Sequence, residues 1–470
     1  MTYDRLSIGL LATLGACTLR PATLEGGDDE IGDTGDSDST DSDSTDSDST
    51  GGEPLAECIT EQGTLVGSAL LLDQGIDTAR LFVEGGELPL ELVGSDPGVY
   101  LQAAAMGEQV AIARSSGFWA KSQTTTIQAF DRSSGALAWS IELAGSWTND
   151  IWAAEDGWVS GRSFNPKGLT PRGFATDGEQ MIELADHSPL AAPREGLVVA
   201  VEAGDYGWYA LADGSWTTVD PPASAGTSTM IADDDRTFEY VAEGEFGVEF
   251  VRASPNATQT FPLELAPELV VEPMLAAGDF RVLSVFDGVG ESTSFVRVDV
   301  ESGEVLPLAP RLPAGFEWFD PCFGPTLALT PEGRLIVALR DTAVVQLFDW
   351  TPETDEWNAI GLPIAGPARV TIDRSDAALI ASATSFDSGS CAPLVWTEPP
   401  IDALPADSVQ LVQPAPTPVL SLPANALDVS PEPGQPCVAY REGNADWTVR
   451  AAASDAALVL GPGDQWLWLD

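Results

Sequence analysis

The stretch Thr126-Ile127-Gln128-Ala129-Phe130-Asp131-Arg132-Ser133-Ser134-Gly135-Ala136-Leu137-Ala138-Trp139-Ser140-Ile141-Glu142-Leu143 decides the fold. Residues 127–130 alternate as a strand, 131–135 carry turn chemistry, and 136–141 return as a second strand. The Asp offers a side-chain acceptor to the amides of its own turn, and the Gly tolerates the left-handed backbone that closes it. A second copy spans 295–308: Val296-Arg297-Val298 leads into Asp299-Val300-Glu301-Ser302-Gly303 and out through Glu304-Val305-Leu306. Looser versions occupy 207–219 and 345–360. Outgoing strands recur roughly every 35 to 50 residues, the period of a four-stranded propeller blade.

Working outward, hydrophobic alternation of period two runs from about residue 64 to the C-terminus, punctuated by Gly, Asp and Pro, and no helical pattern interrupts it. The hairpins resemble the repeats of quinoprotein-like β-propellers, in which an Asp-containing turn and a Gly join the outer two strands of each blade. The resemblance implies an all-β ring whose blades bury their faces on one another. Candidate blades lie at 99–143, 148–184, 197–219, 230–265, 270–308, 318–362, 369–422 and 427–460. Residues 65–93 supply about three more strands and Gln465-Trp466-Leu467-Trp468-Leu469 one. Joined, these would form a closing blade from both ends. The units number nine, and the expectation is an eight-bladed propeller, with seven as the alternative, one unit being merged or incomplete.

The N-terminal region reads as an address. Residues 6–14 form a short apolar run behind Arg5, followed by Gly15-Ala16-Cys17. The run is too short to span a bilayer and fits the apolar core of a secretory signal. The small residues before Cys17 resemble the lipobox of bacterial lipoproteins. That resemblance implies removal of 1–16, lipidation of Cys17, and, with Thr18 following, sorting to the outer membrane. A multiply acylated cysteine would give the stable anchoring that one chain does not. Residues 18–57 carry thirteen Asp or Glu against Arg20 and contain Asp-Ser-Asp-Ser-Thr three times in tandem. With almost no large apolar residues they read as a disordered, self-repelling tether. They lack the spacing of a calcium loop. The domain order expected is therefore signal peptide 1–16, lipidated Cys17 and linker 17–57, and propeller 58–470. The expected location is the cell envelope of a bacterium, at the outer membrane or cell surface.

Net charge over the chain is -52. A surface of that sign repels phosphate backbones, so no nucleic-acid partner is expected. Beyond Cys17 stand Cys58, Cys322, Cys391 and Cys437, an even number that suggests two disulfides in an exported chain. In a blade running a-b-c-d outward from the axis, the d-to-a and b-to-c connections share one face of the ring and the a-to-b turns lie on the other. Cys322 reads as entering a strand a and Cys391 as lying in the b-to-c hairpin of the next blade, which favours Cys322–Cys391. Cys437 follows an a-to-b turn, which leaves it for Cys58 beside the closing strands.

Chemistry is sparse. His187 is the one histidine, there is no Cys-x-x-Cys, no Gly-x-Ser-x-Gly elbow and no phosphate-binding Gly-rich loop. Any His-dependent triad would have to use His187. No catalytic residue, metal ligand or cofactor is assigned, quinone cofactors included, because the required motifs cannot be placed. Ala232-Asp233-Asp234-Asp235-Arg236 reads as a solvated turn. Of fourteen tryptophans, Trp139, Trp216 and Trp357 fall in outgoing strands and read as packing between blades. Trp147, Trp152 and Trp318 fall near inter-blade connections and are the candidates for an exposed binding face. The function expected is a lipid-anchored, non-catalytic interaction or scaffold module for a protein or polysaccharide partner. In layout it resembles the propeller lipoproteins that scaffold outer-membrane assembly. The alternative is a secreted glycosidase or lyase with paired carboxylates at the propeller mouth.

Overall fold

The structure, a computed structural model, describes residues 59–469 except 61–62, 75–76, 85, 94–97, 117–123, 145–146, 165–170, 185, 203–204, 220–229, 232–235, 245–246, 266–268, 287–292, 319–325, 375–378, 386–396, 398, 414–416, 422–425, 432–436, 443–445 and 452–456. The expectations for the signal peptide, Cys17 and the tether lie outside these residues. What is described is an all-β propeller: nine antiparallel sheets of four strands or more, set side by side.

Blade 1 closes the ring. It takes its inner strand from the C-terminus (Gln465–Trp468) and its other three from the N-terminal side (Ala69–Asp73, Thr78–Val83, Gly86–Leu90). Ala69 pairs with Trp468 and Leu72 with Gln465. Blades 2 to 9 follow in chain order, with innermost strands Gly98–Met106, Trp147–Ala153, Ser188–Pro189, Met230–Ile231, Val270–Ala277, Glu317–Trp318 with Leu327–Leu329, Ala368–Arg374 and Ala426–Pro431.

The ring therefore has nine blades, which corrects the expected eight. Every candidate unit is a complete sheet, and none is merged. The shortest unit, 197–219, is completed by an inner strand of only Ser188–Pro189, held to the next strand by Ser188–Val201 and Pro189–Ala200 pairs. The longest unit, 369–422, is one sheet whose strands Leu379–Ser385 and Ser408–Gln413 pair directly across a long connection. Part of that connection folds back on blade 7, where Leu404 N–H donates to Pro363 O (2.8 Å) and Thr397 N–H to Thr342 O (2.7 Å).

Both faces of each blade are covered, which is why strand cores such as Ala69-Leu70-Leu71-Leu72 are apolar at every position. Ala69 and Leu71 pack toward blade 9 with Ala439, Val449 and Trp447, while Leu70 and Leu72 pack toward blade 2 with Leu101 and Ile112. Between blades 5 and 6, Phe250, Val241 and Phe261 meet Leu283, Val285 and Val298. Fully burying one such side chain contributes about 1.5–3 kcal/mol.

Arginine ties neighbouring blades. Arg114 of blade 2 makes a bidentate pair with Asp77 of blade 1 (Nε to Oδ1 2.9 Å). Arg281 of blade 6 donates from Nε to Glu239 Oε2 of blade 5 (2.5 Å), and both side chains are buried. Arg297 of blade 6 reaches blade 7 through Gly333 O (2.9 Å) and the Glu353 carboxylate. The chain has nineteen arginines and two lysines. The planar guanidinium fork suits carbonyl and carboxylate partners at buried boundaries better than an ammonium does.

The Asp/Gly turns form as read. Asp131 N–H donates to Ala136 O and Gly135 N–H to Asp131 O, and the same pair of bonds recurs at Asp299, Glu304 and Gly303. Gly135 and Gly303 adopt φ 66° and 78°. The tryptophans read as packing do pack: Trp139 sits on Gly178 of the next blade, Trp216 against His187, and Trp357 is stacked 5.2 Å from Trp350.

Candidate functional site

Inner strands of a propeller converge on its axis, and at the closure those of blades 9, 1 and 2 border a cavity of about 340 Å³. Ser430, Trp447, Asp464, Trp466, Leu467 and Ala103 are among its lining residues. Its aromatic wall is one cluster. Trp466 lies 5.0 Å from Trp468 in an edge-on contact, 6.1 Å from Trp447 in a stacked one, and 5.8 Å from Phe82. Trp447 Nε1 donates to Gly463 O (3.0 Å) and Trp468 Nε1 to Ser430 O (3.2 Å). Trp466 Nε1 is buried without a hydrogen-bond partner among the described residues.

The connection into the closing strand, 462–464, is fixed from both sides. Arg80 donates to Leu460 O (2.6 Å) and Pro462 O (2.7 Å), and Arg441 donates to Gly463 O (2.9 Å). Asp464 Oδ2 accepts the Gln74 N–H (2.7 Å), and Asp464 N–H donates to Leu72 O (2.7 Å). The wall thus offers indole surface and one carboxylate already engaged by a backbone amide. Such a recess suits contact with an apolar or ring face. Paired acid–base chemistry needs a second carboxylate within about 5 to 10 Å, and none lines this cavity among the described residues.

The candidate face residues are dispersed. Trp147 and Trp152 share the inner strand of blade 3. Trp152 is half-buried, with Arg162 Cζ 5.2 Å from its ring centre. Arg162 faces Asp150 across the strand pair (3.9 Å) and donates from Nε to Pro189 O (3.1 Å). The neighbouring inner strand of blade 4 is two residues long. Trp318 is four blades away and half-buried, its ring 5.6 Å from Phe295 between blades 6 and 7.

His187 is wedged between the rings of Tyr209 (5.2 Å) and Trp216 (4.4 Å). Its Nδ1 donates to Leu184 O (2.8 Å), and its Nε2 lies 3.3 Å from Glu202 Oε2. Nδ1 is thus engaged by a backbone carbonyl, while Nε2 makes no hydrogen bond among the described residues and faces the Glu202 carboxylate. Among the described residues no group of three His, Cys, Asp or Glu side chains is placed to hold a metal ion. Residues 232–235 of the acidic run, and Cys58, Cys322 and Cys391, lie outside the described residues. Cys437 is described: it opens the second strand of blade 9 (Cys437–Glu442), is completely buried and is disulfide-bonded.

The outer turns on the a-to-b rim carry carboxylates held in their ionised form. Hydroxyl bonds from Ser134 and Ser133, with the Ser134 amide, pull Asp131 down to about 2. A bond from the Ser302 side chain lowers Asp299, and the Ser215 amide lowers Asp213. This rim is anionic down to unusually low pH.

No protein-family model and no curated protein matches the chain. Among solved structures it is similar to the β-propeller domain of the Trilobed protease from Pyrococcus furiosus, described as having an open velcro topology. The TM-score is 0.35 at 11% identity, covering 67% of this chain and 95% of that one. A eukaryotic initiation factor matches with TM-score 0.43 at 11% identity, covering 85% and 86%. TolB from Acinetobacter baumannii matches with TM-score 0.25 at 13% identity, covering 59% and 77%. At these values no function transfers, and the propeller assignment rests on the sheet order itself.

Proposed function

We propose that this chain is a non-catalytic interaction module, anchored in a bacterial cell envelope through lipidated Cys17 and held off the membrane by the acidic segment 18–57. Its propeller would present one face to a protein or polysaccharide partner. The observation that carries this reading is how the described polar and aromatic side chains are used. Arg114, Arg281 and Arg297 couple blades, and Trp447 and Trp468 donate across the closure. Asp464 accepts a backbone amide within the closing blade. These groups serve to make a rigid ring, which is what a display surface requires.

The test uses the full exported chain and its Cys17→Ser variant. Cys17→Ser should move the protein from the membrane to the soluble fraction. Immobilised wild type should retain envelope polysaccharide or an envelope protein without releasing shortened oligosaccharide, read by mass spectrometry of the flow-through. Released oligosaccharide would instead establish the carbohydrate-active enzyme, and unchanged membrane association of Cys17→Ser would refute the anchor.

A further inference from the structure

The closing seam joins two segments nearly four hundred residues apart in the chain, so whatever fixes one to the other fixes the ring. Cys437 bears on this directly. It is disulfide-bonded, fully buried, and the first residue of a strand in blade 9. It belongs to the same buried cluster as Ile59 and Leu65, which come from the opposite end of the chain. Ile59 is 4% exposed, and a small local fold holds it there. It bridges to Leu65, Thr60 N–H donates to Thr64 O (2.8 Å), and Gly63 N–H donates to Thr60 O (2.8 Å).

We infer that Cys437 is bonded to Cys58 and that this bond is a covalent lock on the seam. Cys58 is the covalent neighbour of Ile59, and consecutive Cα atoms are about 3.8 Å apart in any chain. A disulfide needs Cα atoms roughly 4.4 to 6.8 Å apart, and Ile59 shares one buried cluster with Cys437. The other cysteines have poorer routes. Cys322 is bracketed by Trp318 and Leu327, which pack between blades 6 and 7. Cys391 falls in sequence between Ser385 and Ser408, strand ends of blade 8 that lie on the rim opposite the end at which Cys437 opens its strand.

The bond secures the N-terminal side twice, once by strand pairing to Gln465–Trp468 and once by sulfur to blade 9. A pull transmitted along the segment before Cys58 then reaches blade 9 without first unzipping the Ala69–Trp468 to Leu72–Gln465 pairs. Only this last consequence rests on the tethered reading; the pairing stands without it. Formation breaks two S–H bonds and makes one S–S bond. Two electrons and two protons pass to an oxidised protein disulfide of the exporting compartment, which leaves as a dithiol.

The experiment is peptide mapping of the full exported chain under non-reducing conditions, followed by amide hydrogen exchange with and without reductant. A single linked peptide pair joining Cys58 to Cys437 is expected. Reduction should raise exchange at Leu70, Leu71 and Trp466 at least tenfold while Leu283 in blade 6 is unchanged. Cys437 linked to Cys17, Cys322 or Cys391 would overturn the pairing, and equal seam exchange in both redox states would overturn the lock. Because Cys58→Ser can fail to fold, reduction of folded wild type carries the decision. Cys17→Ser separates this from the anchor: it should change membrane partition and leave the linked peptide intact.

Discussion

Between blades 5 and 6 a buried carboxylate, Glu239, meets Arg281 inside a shell of Phe and Val side chains. Between blades 9 and 1 the contacts are indole rings and arginine-to-carbonyl bonds centred on Trp447, Trp466 and Trp468. Blades 5 and 6 are consecutive in the chain, so their encounter is nearly local. A buried ion pair there adds little net stability, since desolvation offsets attraction, but it penalises every arrangement that separates the charges. Blades 9 and 1 meet across almost the whole sequence, where closure entropy is largest. Large aromatic area is the more effective currency at that boundary. Internal interfaces can thus emphasise register, whereas the seam must emphasise net attraction.

That contrast can be broken at its strongest point by removing one member of the ion pair. Arg281→Met should destabilise the protein by about 3–5 kcal/mol in urea unfolding, because Glu239 would stay buried with Arg252 (3.4 Å) as its one remaining ion-pair partner among the described residues. Changing Glu239→Leu together with Arg281→Met should recover most of the loss. A single-variant loss below about 1 kcal/mol would mean the pair does not constrain the interface.

The seam can be probed at Trp447, which is 2% exposed and donates to Gly463. Trp447→Ala should cost about 3 kcal/mol, at the low end for a buried aromatic. It should raise hydrogen exchange in Ala69–Asp73 and Gln465–Trp468 before blade 6 is affected. Uniform acceleration across all blades would show that the seam is no weaker than the rest.

The smallest effect is expected at the rim. The Asp131 carboxyl titrates near 2 in the fold against an ordinary 3.8. Its contribution to stability is therefore complete above about pH 4 and is lost as the pH falls through about 2. Wild type and Asp131→Asn should differ slightly in thermal midpoint at pH 7 and coincide near pH 2. A difference that persists at low pH would trace to the turn's shape, not to the carboxylate's charge.

Much of this architecture was legible because period-two alternation and Asp/Gly turns are local signals. These signals mark nine units and join strands from both sides of the sequence in one blade. An eight-bladed ring follows only from the commoner ring size, and the nine sheets correct it. What blurred two of the hairpins is now plain. At 345–360 the turn's left-handed position is filled by Asp355 (φ 56°) in place of Gly, with Trp350 Nε1 donating to its carboxylate (3.1 Å). At 207–219 the Asp has moved beside Gly214, and Ala210 makes the backbone bonds that Asp131 makes elsewhere. The split inner strand of blade 7 gave no signal, since both pieces are too short to show a period. The seam cavity was equally hidden. Its residues come from three blades and both ends of the chain, and only pairing across that distance reveals them. Trp152 is half-buried, and its neighbours Arg162 and Asp150 meet through strand pairing that no short window contains.

The first and last described strands are neighbours, and this bears on how the molecule can be rearranged. Leu469 N–H donates to Ser68 O (3.0 Å), so the last strand finishes where the first one begins. The blades then have a cyclic order with no privileged starting point. A permuted chain, opened in the exposed connection 309–315 and bridged from 470 to 58, would keep every strand neighbour it has now. Exposed connections are where such cuts are tolerated. In evolutionary terms the location of the termini is a free variable of this ring. Gaining or losing a blade would alter its circumference while leaving the rule that joins one blade to the next unchanged.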